Sequence, residues 1–417
     1  MPGAHVVITW GIAAASTAAV IFRPLRVPEA VWALGGALVI VCFGLMPPSA
    51  AVEGVERGLD VYLFLIGMLL LAELARAEGL FDWLAARAVM LARGSSIRLF
   101  ALIYAVGVLV TVFLSNDATA VVLTPAVAAV TRAAKVERPL PYLFICAFIA
   151  NAASFVLPIS NPANLVIFGD HIPPLPEWLA RFAVPSMISI SVTYAGLRWT
   201  QRRALRESVD TTMPIPFLST AGRIAAAGIA LAAVALMLAS AAGMRLGLPA
   251  CLAGLLTLVA VSLAARTSPW RFVSEVSWGV LALVAGLFIL VEALDRSGAI
   301  RDIGDALQGA ADHAPNLTAT AAGLTIALTS NLINNLPAGL VAGMAAQMAH
   351  VAHTVSSGIL IGVDLGPNLS VTGSLATLLW LAALRREGIK VKSWDFFKVG
   401  LLVMPSALVL SLGWLWW

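Results

Sequence analysis

Residues 148–166, FIANAASFVLPISNPANLV, form an apolar stretch interrupted by Pro158-Ile159-Ser160-Asn161-Pro162, and residues 361–379, IGVDLGPNLSVTGSLATLL, repeat the pattern about 213 positions later. The second copy is interrupted by Gly366-Pro367-Asn368-Leu369-Ser370. In this register Asn151 meets Asp364, Ser160 meets Gly373, Asn161 meets Ser374 and Asn164 meets Thr377. Upstream, Gly67, Glu73, Gly79 and Asn116 recur 219 positions on as Gly286, Glu292, Gly298 and Asn335. Chance could give one such pairing, but not an ordered series. The chain is therefore an internal duplication.

Composition identifies the solvent. The chain is 60% hydrophobic and 12% charged, whereas a soluble domain carries about 25% charged residues. This is the balance of an all-α polytopic membrane protein. The net charge of +4 does not imply a nucleic-acid partner, because the Lys and Arg residues fall in short loops, where they set membrane orientation. The first apolar span, from residue 5 to 22, is followed by Arg23-Pro24-Leu25-Arg26 rather than a small-residue cleavage site, so it is expected to stay as a helix. Cys42, Cys146 and Cys251 stand singly in apolar spans and read as small hydrophobes, with neither a disulfide framework nor a CxxC site. His350 and His353 lack an HExxH frame or acidic companion, so no metal and no cofactor are expected. The twelve tryptophans read mostly as interfacial anchors. Glu73 and Glu292 lie beside Arg76 and Arg296 near span ends and read as interfacial ion pairs, with a coupling role as the alternative.

Loop charge predicts the topology. Basic clusters occur at Arg23/Arg26, Arg87 to Arg98, Arg132 to Arg138, Arg198 to Arg206, Arg266/Arg271 and Arg385 to Lys398. If all of them face the cytoplasm, residues 99–131 enter and leave on that side, as a re-entrant hairpin with its tip at Ser115-Asn116-Asp117. Its repeat partner, 316–351, then enters from outside, and the two halves are inverted. A crossing needs roughly 20 apolar residues. The count becomes about ten spanning helices, beginning near residues 5, 28, 61, 139, 178, 220, 247, 277, 356 and 396, plus two hairpins. Both termini are expected outside. The expected units are a first repeat over 1–197 with a broken helix at 139–168, a basic cytoplasmic linker at 198–219, and a second repeat over 220–417 with a broken helix at 356–383.

Irregular backbone at membrane depth is tolerated only where it is buried in protein or lines a cavity. In inverted-repeat transporters such breaks hold the midplane binding site. Across both hairpins and both breaks the only formal charges, histidine aside, are Asp117 and Asp364. Carboxylates at that depth are costly and usually mark an ion or proton path, so these two are the expected coupling groups; the competing reading has each simply capping a half-helix N-terminus. The neutral candidates for substrate binding are Ser115, Asn116, Asn161, Asn164, Asn334, Asn335, Thr372 and Ser374. No Lys or Arg accompanies them. An oxyanion or dicarboxylate site would want cationic donors, so this set suits a cation or a small hydroxyl-rich neutral solute.

The strings FLSNDATAVVLTPAV (113–127), NAASFVLPISNPANLVI (151–167), LINNLPAGLVAG (332–343) and GVDLGPNLSVTGSLATLLWL (362–381) resemble the arsenite efflux permeases, the arsenical pump membrane proteins of the ion transporter superfamily. The likeness runs from about residue 25 to 415. It implies export of trivalent arsenic and antimony hydroxides (arsenite and antimonite) driven by protons across a bacterial-type inner membrane, sometimes with a soluble ATPase subunit, and without essential cysteines. Pro162 departs from what that family would be counted on to carry. The nearest alternative is a sodium/proton antiporter of the same superfamily. A dicarboxylate or citrate carrier fits less well, since such relatives carry Ser-Asn-Thr at both tips and this chain has Ser115-Asn116-Asp117 and Asn334-Asn335-Leu336. No facing nucleophile and base suggest an enzyme.

Overall fold

The computed structural model of the chain describes residues 3–207, 209–210 and 216–417, and among them there are helices and turns but no strand. The first repeat opens with α1 (Ala4–Phe22) and α2 (Glu29–Cys42), followed by α3 (Pro48–Arg57) and α4 (Leu59–Ala77), which meet at a 50° bend. Then come α5 (Leu80–Ala92) and the first hairpin. Its arms are α6 (Ser96–Phe113) and a return built from α7 (Asn116–Ala118), one π-helical turn (Thr119–Leu123) and α8 (Thr124–Ala133). The broken crossing α9 (Leu140–Ala152) and α10 (Pro162–Phe168) leads to α11 (Leu175–Thr200).

The second repeat follows the same order. It runs α12 (Thr220–Ala241), α13 (Gly247–Ala265), α14 (Trp270–Val273), α15 (Gly279–Arg296) and α16 (Ala299–His313), then the hairpin α17 (Pro315–Ile333) and α18 (Asn335–Met348). The broken crossing α19 (His353–Leu365) and α20 (Leu375–Arg386) and then α21 (Ser393–Gly413) complete it. All ten expected crossings and both hairpins are present. Among the described residues only α1, α6, α12, α13 and α21 are individually long and apolar enough to cross a bilayer by composition. Most of the remaining crossings are shorter or more polar because protein, not lipid, surrounds them.

The repeats interlock. α4 packs on α13 of the other repeat and α15 packs on α2, while α10 lies against α18 and α20 against the return arm of the first hairpin. The duplicated glycines make the first two contacts possible. A Cβ on Gly67 would lie 2.1 Å from the Ala250 carbonyl oxygen, and one on Gly286 would lie 2.8 Å from the Ala33 backbone. At both positions the helix backbones touch, and any side chain would prise them apart.

Side-chain contacts give the inversion. Arg132, at the base of the first hairpin, pairs at 3.3 Å with Glu387, just past the end of α20. The base of the second hairpin, at Met348, instead adjoins the start of α19, and Gln347 Nε2 donates to the Ile167 carbonyl near the end of α10 at 2.8 Å. Since α19 and α20 are the two halves of one crossing, the hairpins enter from opposite faces.

Besides the single-turn α14, three helices were not anticipated. α3, α5 and α16 are short and carry charges such as Glu53, Asp82 and Asp302, so a search for long apolar runs passes over them. In the expected linker, positions 208 and 211–215 lie outside the described residues. Its acids tie it to the base of the first hairpin: Glu207 pairs with Arg138 at 3.2 Å and Asp210 with Lys135 at 3.1 Å. Two tryptophans are not interfacial at all. Trp178 and Trp380 are fully buried, and each indole N–H donates to a carbonyl of the first broken crossing or its break, Phe155 at 3.2 Å and Leu143 at 2.9 Å.

Overpacking at the backbone contacts should be costly. Gly67→Val and Gly286→Val are each expected to destabilise by about 1–3 kcal/mol, whereas Gly309→Ala, where an added Cβ meets nothing within 4 Å, should be neutral or stabilising; thermal melting of the detergent-solubilised chain, followed by size-exclusion fluorescence, checks the order.

Candidate functional site

Four helix N-termini meet near the centre of the molecule, and each is capped by a residue of the expected binding set. Ser115 Oγ accepts the Ala118 N–H at 3.1 Å at the start of α7, and its repeat mate Asn334 accepts the Leu336 N–H at 3.2 Å at the start of α18. Asn161 Oδ1 accepts the Ala163 N–H at 3.0 Å on α10, and its mate Ser374 accepts the Thr377 N–H at 3.1 Å on α20. In a medium without water each helix start must find acceptors for its free N–H groups. Neither aspartate does this work, so the capping reading of the two carboxylates passes to these four residues. Asp117 lies in the first turn of α7, and Asp364 lies at the C-terminal end of α19.

Each hairpin tip is fastened to the break of its own repeat. Ser160 Oγ donates to the Val112 carbonyl at 3.0 Å, and the Asn335 N–H donates to the Gly373 carbonyl at 2.8 Å. Thr372 Oγ1 donates to the Asn331 carbonyl at 3.1 Å. The two breaks are fastened to each other across the pseudo-twofold axis. Asn161 Nδ2 donates to Asp364 Oδ1 at 2.7 Å, and Asn151 Nδ2 to Asn368 Oδ1 at 3.0 Å. Asp364 is fully buried and its Oδ2 has no partner, which leaves one lone-pair face of a carboxyl available for a proton or ligand.

A cleft of about 410 Å³ opens on the face where the first hairpin enters and ends at Ser115, Asp117 and Pro162. Beyond its floor is a central cavity of only about 30 Å³, lined by Asn116, Asp117, Asn161 and Asn335 with an apolar half that includes Leu65 and Val280. Asp117 belongs to both spaces. A second cleft of about 390 Å³ opens on the opposite face and shares no residue with the cavity. Of the two clefts, the first shares lining residues with the cavity and the second does not. The π-helical turn shapes this access: Pro125 lacks an N–H to continue the helix behind it, so the backbone widens by one residue just before it, and Pro125 lines the cleft.

Of the expected site residues, Ser115, Asn116, Asp117, Asn161 and Asn335 reach the central spaces. The others stand in the surrounding network. Asn164 turns its Nδ2 to its own break, donating to the Ser154 carbonyl at 2.9 Å, while its buried Oδ1 has no partner. Asn334, Thr372 and Ser374 serve as caps and fasteners, and Asp364, which does not line the central cavity, is joined to it through the cavity residue Asn161. Residues on α4 and α15 were not anticipated as lining, although their repeat register was the signal for them.

Both clefts are acidic. The first carries Glu73, Asp82, Asp117, Glu275 and Glu387 against Arg76 and Arg386. The second carries Asp60, Glu292 and Asp295 against Arg57, with His171. The ion pairs expected at Glu73 and Glu292 are formed, with Arg76 at 2.5 Å and Arg296 at 2.7 Å, but both carboxylates are buried, and Glu292 gains Arg57 at 2.7 Å as a second partner.

Comparison with known proteins agrees with this architecture. A family model described as citrate transporter matches residues 17–363, and the chain belongs to that family of membrane transporters. It is 27% identical over 417 residues to an uncharacterized transporter of Mycobacterium tuberculosis, covering 94% of each chain. It is also 25% identical over 361 residues to an arsenical pump membrane protein of Yersinia enterocolitica and 22% identical over 359 residues to that of Escherichia coli, covering 84% of each chain in both cases. The resemblance to arsenical pump membrane proteins drawn from the tip and break motifs is borne out. Among solved structures, the YdaH transporter of Alcanivorax borkumensis, whose topology is described as unusual, matches with a TM-score of 0.56 at 16% identity over 87% of each chain, which supports the fold.

Asn334 holds φ at +72° with ψ at 150° at the second tip, a sparsely populated conformation that costs a residue with an ordinary side chain on the order of 1–3 kcal/mol. Asn334→Gly should keep the hairpin but lose the cap, whereas Asn334→Ile should lose both and melt several degrees lower than Asn334→Gly in the same assay.

Proposed function

We propose that this chain exports trivalent arsenic and antimony hydroxides in exchange for protons. The observation that carries the reading is the donor set of the central cavity: Asp117, Asn116, Asn161 and Asn335, with no Lys or Arg among its described lining residues. Arsenous acid is a small neutral trihydroxide near pH 7. Its three O–H groups need acceptors, which a carboxylate and amide oxygens supply. A citrate trianion would need cationic donors to offset its desolvation. It would also have to enter through clefts whose carboxylates outnumber their guanidinium groups. The arsenical pump relatives support the substrate class, and the name of the wider family does not decide it.

In this reading the substrate enters from the cytoplasm through the first cleft and reaches its blind end at Ser115 and Asp117. Asp117 accepts substrate hydroxyls when ionised; a proton arriving from outside removes that acceptor and competes with the substrate. Asn161 links the cavity to Asp364, so protonation of Asp364 alters the hydrogen bond that holds the cap of α10. The hairpins and broken crossings then move against the remaining helices to open the second cleft, in the manner of inverted-repeat transporters. The basic loops face the cytoplasm, which leaves both termini outside, and a soluble ATPase subunit would meet the cytoplasmic face. Cys146 has no part in this scheme, being fully buried.

Everted vesicles from cells expressing the chain, energised by respiration, should accumulate arsenite, and a protonophore should abolish the uptake. Asp117→Asn and Asp364→Asn should each insert and fold yet lose proton-linked uptake to background. Full uptake in both single variants would remove these carboxylates from the coupling, and sodium-dependent alkalinisation of the lumen without arsenite uptake would replace the substrate with Na⁺.

A further inference from the structure

An apolar groove of about 490 Å³ lies between α12 and the α5–α6 corner and adjoins the first cleft at Phe81, which lines both. Its lining is entirely aliphatic or aromatic. On α12 it follows one helical face from Ala226 through Ala230 and Ala233 to Met237, where alanines leave the space that larger residues would fill. Its opposite wall ends at Leu114, the residue immediately before the cap Ser115. A groove of this depth on membrane-crossing helices cannot be hydrated without cost, since it offers water no polar partners.

The helical faces that line the groove each carry an arginine beyond the lining. Arg223 lies one turn before Ala226 on α12 and seven residues before Ala230; Arg87 lies three residues after Leu84 on α5 and seven after Leu80. Both side chains are exposed and lie over aromatic rings, Arg223 at 5.5 Å from the Phe217 centroid and Arg87 at 5.2 Å from that of Trp83. Neither has an acidic partner among the ion pairs of the described residues. Aliphatic depth with unpaired arginines on the same helical faces suits an anionic lipid.

We propose that this groove is a binding site for one anionic phospholipid, with an acyl chain along the alanine face of α12 and the phosphate held between Arg223 and Arg87. The lipid would wedge between α12 and the first hairpin and pack against the residue that precedes its tip. The groove shares Phe81 with the proposed entry cleft, but its test does not depend on which solute is carried.

Native mass spectrometry of the full chain titrated with phosphatidylglycerol or phosphatidylcholine reads the occupancy. The wild type should retain one phosphatidylglycerol at lipid concentrations where phosphatidylcholine is lost. Ala233→Trp, which fills the groove, should remove that lipid, and Arg223→Gln with Arg87→Gln should abolish the preference for phosphatidylglycerol. Retention unaltered by Ala233→Trp overturns the site, and a preference unaltered by the paired arginine variant overturns the headgroup assignment. Should Ala233→Trp fail to fold, the wild type can be photocrosslinked to phosphatidylglycerol carrying a diazirine in its acyl chain. Adducts are then expected on residues 109–114 and 226–237, and equal labelling of the outer face of α13 would overturn the proposal.

Discussion

Backbone polar groups have no water to turn to inside a bilayer, and the structure is organised around that constraint. Breaking two crossings and folding two hairpins creates four helix N-termini near the centre, each with free N–H groups. Ser115, Asn161, Asn334 and Ser374 satisfy them. Once those caps are placed, the tips must lie against the breaks and the breaks against each other. The hydrogen bonds from Ser160 to Val112, Asn335 to Gly373 and Asn161 to Asp364 follow from that crowding. The polarity available to a solute is what remains after the backbone has been served.

What remains is small and unevenly shared between the repeats. Position 117 is aspartate while its mate, Leu336, is apolar; position 364 is aspartate while its mate is Asn151. The duplicated frame is thus symmetric in backbone and asymmetric in charge. The first cleft reaches the one carboxylate that borders open space, and the other carboxylate sits behind an amide. A device with two equivalent faces could not tell inside from outside. The differences between the halves make the two clefts chemically distinct.

Much of this was legible in the sequence because duplication and membrane length are both periodic signals. The offsets of 219 and 213 residues located the hairpins and breaks, and the apolar runs located all ten crossings. Less legible were features that depend on contact across the repeats. Nothing local in the sequence places Asn161 against Asp364, 203 residues away. The role of Asn164 depends on how the chain turns at Ser154 and Pro158, which decides whether an amide faces a cavity or its own backbone. α3, α5 and α16 escaped notice because their charges interrupt the apolar pattern that identifies crossings. Trp178 and Trp380 illustrate the same limit, since tryptophan serves an interface and a core equally well.

The glycine contact between α4 and α13 has a consequence for biosynthesis. Gly67 leaves the ribosome 183 residues before Ala250, the backbone it is shaped to touch. At typical elongation rates the interval is on the order of ten to forty seconds. Throughout it α4 must reside in lipid without its partner. Its buried Glu73 is neutralised meanwhile by Arg76 on the next turn of the same helix, a pairing that needs nothing not yet made. Glu292 has the same kind of counterion in Arg296, one turn on along its own helix, and adds Arg57, which was translated long before. Both halves carry a counterion on the same helix, so each can enter lipid paired, and the late half gains a second because its partner is already there.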